Sequence, residues 1–352
     1  MNSKHPLIQR RPSRHAAHGR TPARGFTLIE LMIAMLLGLV VISGVTSIFI
    51  ANQRAYKTNE ALSDVQEGSR IGFEMLARDV RGAGLTGCDS TSGRVSNVLN
   101  GGSTLWYADW ANALHGYDDT DTDPAVTTGT GAGQRVTGTD SLHIVSAGSL
   151  DATIGVNNGN DPARLFLNQA STNLSKGDII MVCDYDHAAI VQISQLQNGN
   201  VTVVHNTGNG GGEPQPGNCS KGLGYPSDCS TNGNAYTFPP NSQIAKLSAS
   251  DWYIGNNPVN GKSLYRVTVV TGASGVTTQA EEMVRNVTDM QIQYVQPSNT
   301  YPVSAASVTD WSTVDATQIT LTVQSTDQRA GTDSKAISRP FTFLATVRNR
   351  VQ

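Results

Sequence analysis

The hydrophobic pattern divides the chain into three textures. Between Leu31 and Ala51 apolar residues run almost unbroken, with Gly38 and Gly44 among them and a single carboxylate, Glu30, at their head. As a helix this run rises about 31 Å, one hydrocarbon thickness, so it predicts a membrane-spanning segment. From Asn52 to Arg81 charged and polar residues interleave with Tyr56, Leu62, Val65, Phe73, Leu76 and Val80, spacings that predict a continuing amphipathic helix. Gly82-Ala83-Gly84 supplies its stop. Together, 26–81 reads as one helix of about 80 Å.

Beyond residue 84 the period shortens. β-branched and alternating runs between Gly, Asn, Ser and Thr clusters predict strands near 140–146, 163–168, 178–183, 188–195, 200–205, 263–270, 283–295, 316–325 and 339–347. Segments 118–134 and 206–234 read as exposed loops. No repeat of fixed period is present. The fold class is α+β, a long amino-terminal helix packed on a β-rich domain.

Charge refines this picture. Lys4, Arg10, Arg11, Arg14, Arg20 and Arg24 all precede the apolar run with no acid among them, which predicts a cytoplasmic amino terminus and an exported remainder. Net charge is −3 with only 15% charged residues, so no basic field for nucleic acid exists. In an exported chain the even set Cys88, Cys183, Cys219 and Cys229 favours two disulfides over a metal site. Three pairings are possible. Cys219–Cys229 closes the shortest loop, which leaves Cys88–Cys183 to staple the helix base to a strand.

Glu30 is the residue of greatest interest, because a carboxylate at a bilayer edge costs about 2.5–3.5 kcal/mol. Cleavage after Gly25 would give Phe26 a cationic amine able to neutralise Glu30 or its counterpart on a neighbouring subunit. Gly25-Phe26-Thr27-Leu28-Ile29-Glu30 resembles the class III leader of type IV prepilins and type II secretion pseudopilins. The resemblance implies that a prepilin peptidase cuts between Gly25 and Phe26 and methylates the Phe26 amine. It also implies that Glu30 guides docking.

Further segments resemble the PilW-type minor pilins. These are Arg78 to Gly84, Gly177 to Asp184 with Ala188 to Ile193, Val284 to Tyr294, Trp311 to Thr322, and Phe341 to Arg350. The partners implied are other minor and major pilins, the peptidase, the inner membrane and the pilus assembly platform, with no nucleic acid and no cofactor. The organisation implied is a leader at 1–25, a membrane and assembly helix at 26–51, an amphipathic helix at 52–84 and a β-rich periplasmic domain at 85–352. One departure is that 26–81 lacks Pro, and Ser47 stands about where major pilins carry it. A subunit present in few copies suits that absence better than a bulk fibre subunit. A type II pseudopilin and a pilus-displayed adhesin are the alternatives.

Other candidate chemistry is weak. Asp119, Asp121 and Asp123 resemble half a calcium loop, but Pro124 stands next to the last Asp where Gly is needed, so a solvated acidic loop is expected. Cys183-Asp184-Tyr185-Asp186-His187 reads as a hairpin turn rather than a ligand set. Gly-rich 208–212 lacks the Lys-Ser/Thr of a phosphate loop. Trp106, Trp110, Trp252 and Trp311 are expected in packing. No catalytic constellation and no metal site are expected, so the chain reads as a non-enzyme.

Overall fold

The computed structural model describes residues 25–88, 94–155, 163–208, 212–331, 333–348 and 350. The leader cations, Lys4 through Arg24, lie outside the described residues, as does the centre of the Gly-rich run 208–212.

Helix α1 spans Leu28–Gly82 without a Pro to interrupt it. The chain divides into two compact units, Met1–Tyr56 and Lys57–Gln352. In the first unit, α1 buries nothing across its most apolar window, whose mean hydropathy is 2.5. Leu28, Leu39 and Ile42 expose 76, 71 and 67% of their surface, so this face is greasy in every direction. Among the described residues it is the one helix long and apolar enough to cross a membrane.

In the second unit the same helix is one-sided. Ala61, Val65, Ser69, Gly72, Leu76 and Val80 are buried, at steps of three and four residues. Small residues make up half of that stripe, so a search for large apolar side chains finds it only in part. Tyr56 is not in it and is 68% exposed. At Gly72 a Cβ would meet Leu264 Cδ2 at 3.3 Å and Leu321 Cδ1 at 3.4 Å, so the missing side chain sets how closely strands approach. The helix ends where Gly84 adopts φ 68, a left-handed stop that Gly takes at little cost. Arg348 N–H then satisfies the carbonyl of Arg81 at 3.3 Å.

The strands are β1 (Val95–Asn97), β2 (Leu114–Tyr117), β3 (Ser141–Thr153), β4 (Arg164–Phe166), β5 (Ile179–Cys183), β6 (Ala188–Gln192), β7 (Gln195–Gln197), β8 (Thr202–Val204), β9 (Gln243–Asn256), β10 (Lys262–Gly272), β11 (Gly275–Arg285), β12 (Val287–Val295), β13 (Ala316–Gln324) and β14 (Ser338–Thr346). The large sheet runs β1-β6-β5-β9-β10-β11, with β3 also on β9 and β2 on β3. Only β1 with β6 is parallel in it. A second antiparallel sheet runs β12-β13-β14, and a small one β4-β8-β7. Leu76, Ala77 and Val80 of α1 share one core with Leu142 and Ile144 of β3, Trp252 of β9, Leu264 of β10, and Ile319 and Leu321 of β13. The fold is therefore α+β.

Several strand expectations need correction: β1, β2 and the greater part of β11 fall where none was expected. The hub of the large sheet, β9, was not foreseen, because it is buried on both faces and carries Lys246, Ser248, Ser250 and Asp251. Neither alternation nor a pure apolar run marks it. The single strand expected at 283–295 is two, broken by Asn286 at φ 61, a left-handed position that Asn tolerates.

Disulfides join Cys88 to Cys183, with Cα atoms 6.0 Å apart, and Cys219 to Cys229, with Cα atoms 4.9 Å apart.

Candidate functional site: the start of the apolar helix

Gly25 and Phe26 precede the helix and are exposed, Phe26 by 83%. A Cβ at Gly25 would meet nothing within 4 Å. The bond between the two thus lies in accessible, non-helical backbone, the form a protease requires.

Thr27 opens the helix. Its carbonyl accepts the first helical bond from Leu31 N–H at 3.1 Å, and its hydroxyl accepts Glu30 N–H at 3.3 Å. The hydroxyl also meets Glu30 Oε2 at 3.5 Å. Thr27-Leu28-Ile29-Glu30 thus has the Thr-x-x-Glu spacing of a capping box and forms its Thr27 hydroxyl half, with Glu30 meeting that hydroxyl and standing in the first turn where the helix dipole favours negative charge. This local role of Glu30 is separate from the docking role expected of it, and the Thr-x-x-Glu spacing in the sequence signals it. Further along, Ser43 Oγ donates to Val40 O and Thr46 Oγ1 to Ile42 O, each at 2.8 Å. Both hydroxyls are satisfied by their own helix, as lipid demands. Gly38 and Gly44 have open space around them.

In the second unit Asp79 and Asp184 serve structure. Asp79 Oδ2 accepts Ser250 Oγ–H and Trp252 Nε1–H at 2.9 Å each and pairs with Arg266 Nε at 3.0 Å. At 183–187, Asp184 Oδ1 accepts the N–H groups of Asp186 and His187 at 2.8 Å, an Asx turn joining β5 to β6. Asp184 Oδ2 accepts Tyr236 O–H at 2.7 Å. Trp252, Trp106 and Trp311 are buried; Trp110 is half-buried.

The acidic segment differs from the expected solvated loop. Asp119 and Asp121 are exposed, but Asp123 is buried and accepts Ala125 N–H and Ser141 Oγ–H. Arg135, fully buried, gathers the carbonyls of Tyr117, Asp118, Asp121 and Thr139. A cleft of about 470 Å³ beside it is lined by Asp118, Asp119, Asp140, Gln291, Gln293 and Gln318. Burial pushes the Asp140 carboxyl up to about 6, against the hydrogen bond it accepts from Ile292 N–H. Burial and the neighbouring His115 push His143 down to about 3, so it is neutral.

No curated protein and no solved structure matches the chain. Residues 20–46 match the family model described as the prokaryotic N-terminal methylation motif, which spans Gly25, Phe26 and Glu30. With the exposed apolar helix that follows, the motif supports membrane anchoring and a prepilin-type protein, type IV pilin-like or pseudopilin in kind.

Proposed function

We propose that the chain is a minor pilin of the type IV pilus that primes or caps assembly with other minor pilins. The observation that carries this reading is the methylation motif placed at the start of a helix whose apolar surface is unburied in the chain itself. Such a surface needs lipid first and sister helices afterwards.

The steps follow from the residues. The basic leader, 1–25, stays in the cytoplasm while 26–51 spans the inner membrane and 85–352 lies in the periplasm, with 52–84 as the amphipathic continuation. Prepilin peptidase cuts between Gly25 and Phe26 and methylates Phe26. The new amine meets Glu30 of its own or a neighbouring chain, replacing part of the stabilisation Thr27 gives the carboxylate. Docking on the assembly platform then stacks the apolar helices. The chain performs no chemistry of its own in this reading.

Mass spectrometry of protein recovered from cells tests processing: a mature chain beginning at N-methyl-Phe26 is expected, and a working pilus subunit that keeps its first Met refutes it. Glu30→Val should be cleaved yet fail to enter pili; normal piliation would refute the docking role. The motif itself is shared by pseudopilins, so crosslinking in cells decides between machines. Recovery of secretion-system pseudopilins in place of pilins would overturn the pilus assignment.

A further inference from the structure

Two carboxyl groups are buried on the face of the large sheet opposite α1, and a third, bonded to Ile292 N–H of β12, lies near them at the start of β3. Asp251 of β9 is fully buried, Asp123 is 3% exposed and Asp140, just before β3, is 5% exposed. One guanidinium, that of Arg135, serves all three, and its bonds go to backbone carbonyls. Neither Asp251 oxygen has a nitrogen or hydroxyl donor. Ser141, which holds Asp123, and His143, the cross-strand partner of Asp251, point to one side of β3, so both carboxyl groups sit on that side, and two carboxyl groups that meet make a hydrogen bond only with a proton between them. Asp123 belongs to the segment between β2 and β3, whereas Asp251 belongs to the sheet beneath it.

We infer that one proton shared by Asp123 and Asp251 makes the seating of the segment Tyr117–Thr139 on the sheet depend on pH: it adds to the bonds that Gly133, Val136 and Arg135 make there, and its loss to solvent weakens the seating and makes local opening more frequent. The surrounding groups cannot replace the proton. From β3 the cross-strand partner of Asp251 is His143, and Ser141 bonds Asp123. From β2 come His115, which burial also lowers, and Tyr117, which burial raises. Tyr253 on β9 and Tyr294 on β12 are likewise raised by burial, so both stay neutral. From β10, Val267 faces Asp251 and brings no charge, with Tyr265 beyond it. Asp109, Asp118, Asp121 and Asp289 add only negative charge. Burial, then the Asp123 charge, pushes Asp251 well above the usual carboxylate range, and burial raises Asp123 as well.

The seated state holds a proton that the opened segment, with ordinary aspartates, gives up above about pH 4. Opening is therefore favoured as pH rises, by up to about tenfold per pH unit until the seated pair itself ionises. Hydrogen-exchange protection factors of the full chain in detergent, corrected for intrinsic rates, test this between pH 6.5 and 8, above the titration of Asp140. Amides of 121–136 should lose protection as pH rises in that window, by up to about tenfold per unit while the pair keeps its proton, while β9 and β10 keep theirs. Asp251→Asn, nearly isosteric and unable to ionise, should flatten the slope, and Asp123→Asn serves if that variant does not fold. An equal slope in the folded variant, or a flat one in the natural protein, overturns the shared proton. So does restoration of protection at pH 8 by millimolar calcium, which would make the pair a cation site instead.

Discussion

Replacing Asp79 tests how the carboxy-terminal half of α1 is held to its sheet. One oxygen, Oδ2, serves Ser250, Trp252 and Arg266. In Asp79→Ala the Ser250 hydroxyl and the Trp252 indole N–H, 3 and 1% exposed as residues, lose their acceptor. Each buried donor left unpaired costs about 1–3 kcal/mol. Arg266, whose side chain is 28% exposed, turns to water and adds less than about 1 kcal/mol. The sum expected is about 3 kcal/mol, because water entering the vacated space offsets part of the penalty. Asp79→Asn keeps an oxygen acceptor and should lose only about 1 kcal/mol. Urea unfolding of the full chain in detergent, followed by tryptophan fluorescence, measures both, since all four Trp lie beyond Lys57. An Asp79→Ala midpoint equivalent to wild type within about 0.5 kcal/mol, or an Asn variant as damaged as the Ala variant, would refute the hub.

Three further outcomes are expected. Gly116→Ala would set a Cβ 1.6 Å from the Tyr294 hydroxyl oxygen and 2.4 Å from Cζ, and displacing that buried ring should cost about 1–3 kcal/mol in the same assay. Asp140, with a folded value of about 6, holds its proton more tightly folded than unfolded, so its contribution is greatest below about pH 4 and is lost as pH rises to about 6. That loss is up to about 3 kcal/mol, and Asp140→Asn, which keeps an acceptor for Ile292 N–H, should remove it from the stability–pH curve. Opening Cys88–Cys183, which spans 95 residues, should cost about 4–5 kcal/mol, and opening Cys219–Cys229, which spans 10, about 3; paired Cys→Ser variants compared by unfolding separate the two.

What the sequence made legible was whatever lies along one stretch of chain. The apolar run, its lone Glu30 and the break after residue 84 are one-dimensional signals, and they carry the α+β class. Strand β9 stayed hidden because burial on both faces erased its alternation. The Asp79 hub depends on partners more than 170 positions away, Ser250 at 171 and Trp252 at 173, and no spacing announces them. Asp123 looked like a solvated loop residue because its burial depends on β3 and β9 packing beneath it. Thr27-x-x-Glu30 is the opposite case: the signal was present, and the more conspicuous meaning of Glu30 obscured it.

The hydroxyls of Ser43 and Thr46 bear on how such a helix yields when pulled. Each lends its proton to a carbonyl that already serves the backbone, and a shared carbonyl holds its amide less firmly. Two such positions fall within four residues of Ser47, beside the place where bulk fibre subunits carry proline. The backbone ladder is thus loosened around Val40 and Ile42 while every amide donor is kept, which makes this turn the expected place for α1 to bend.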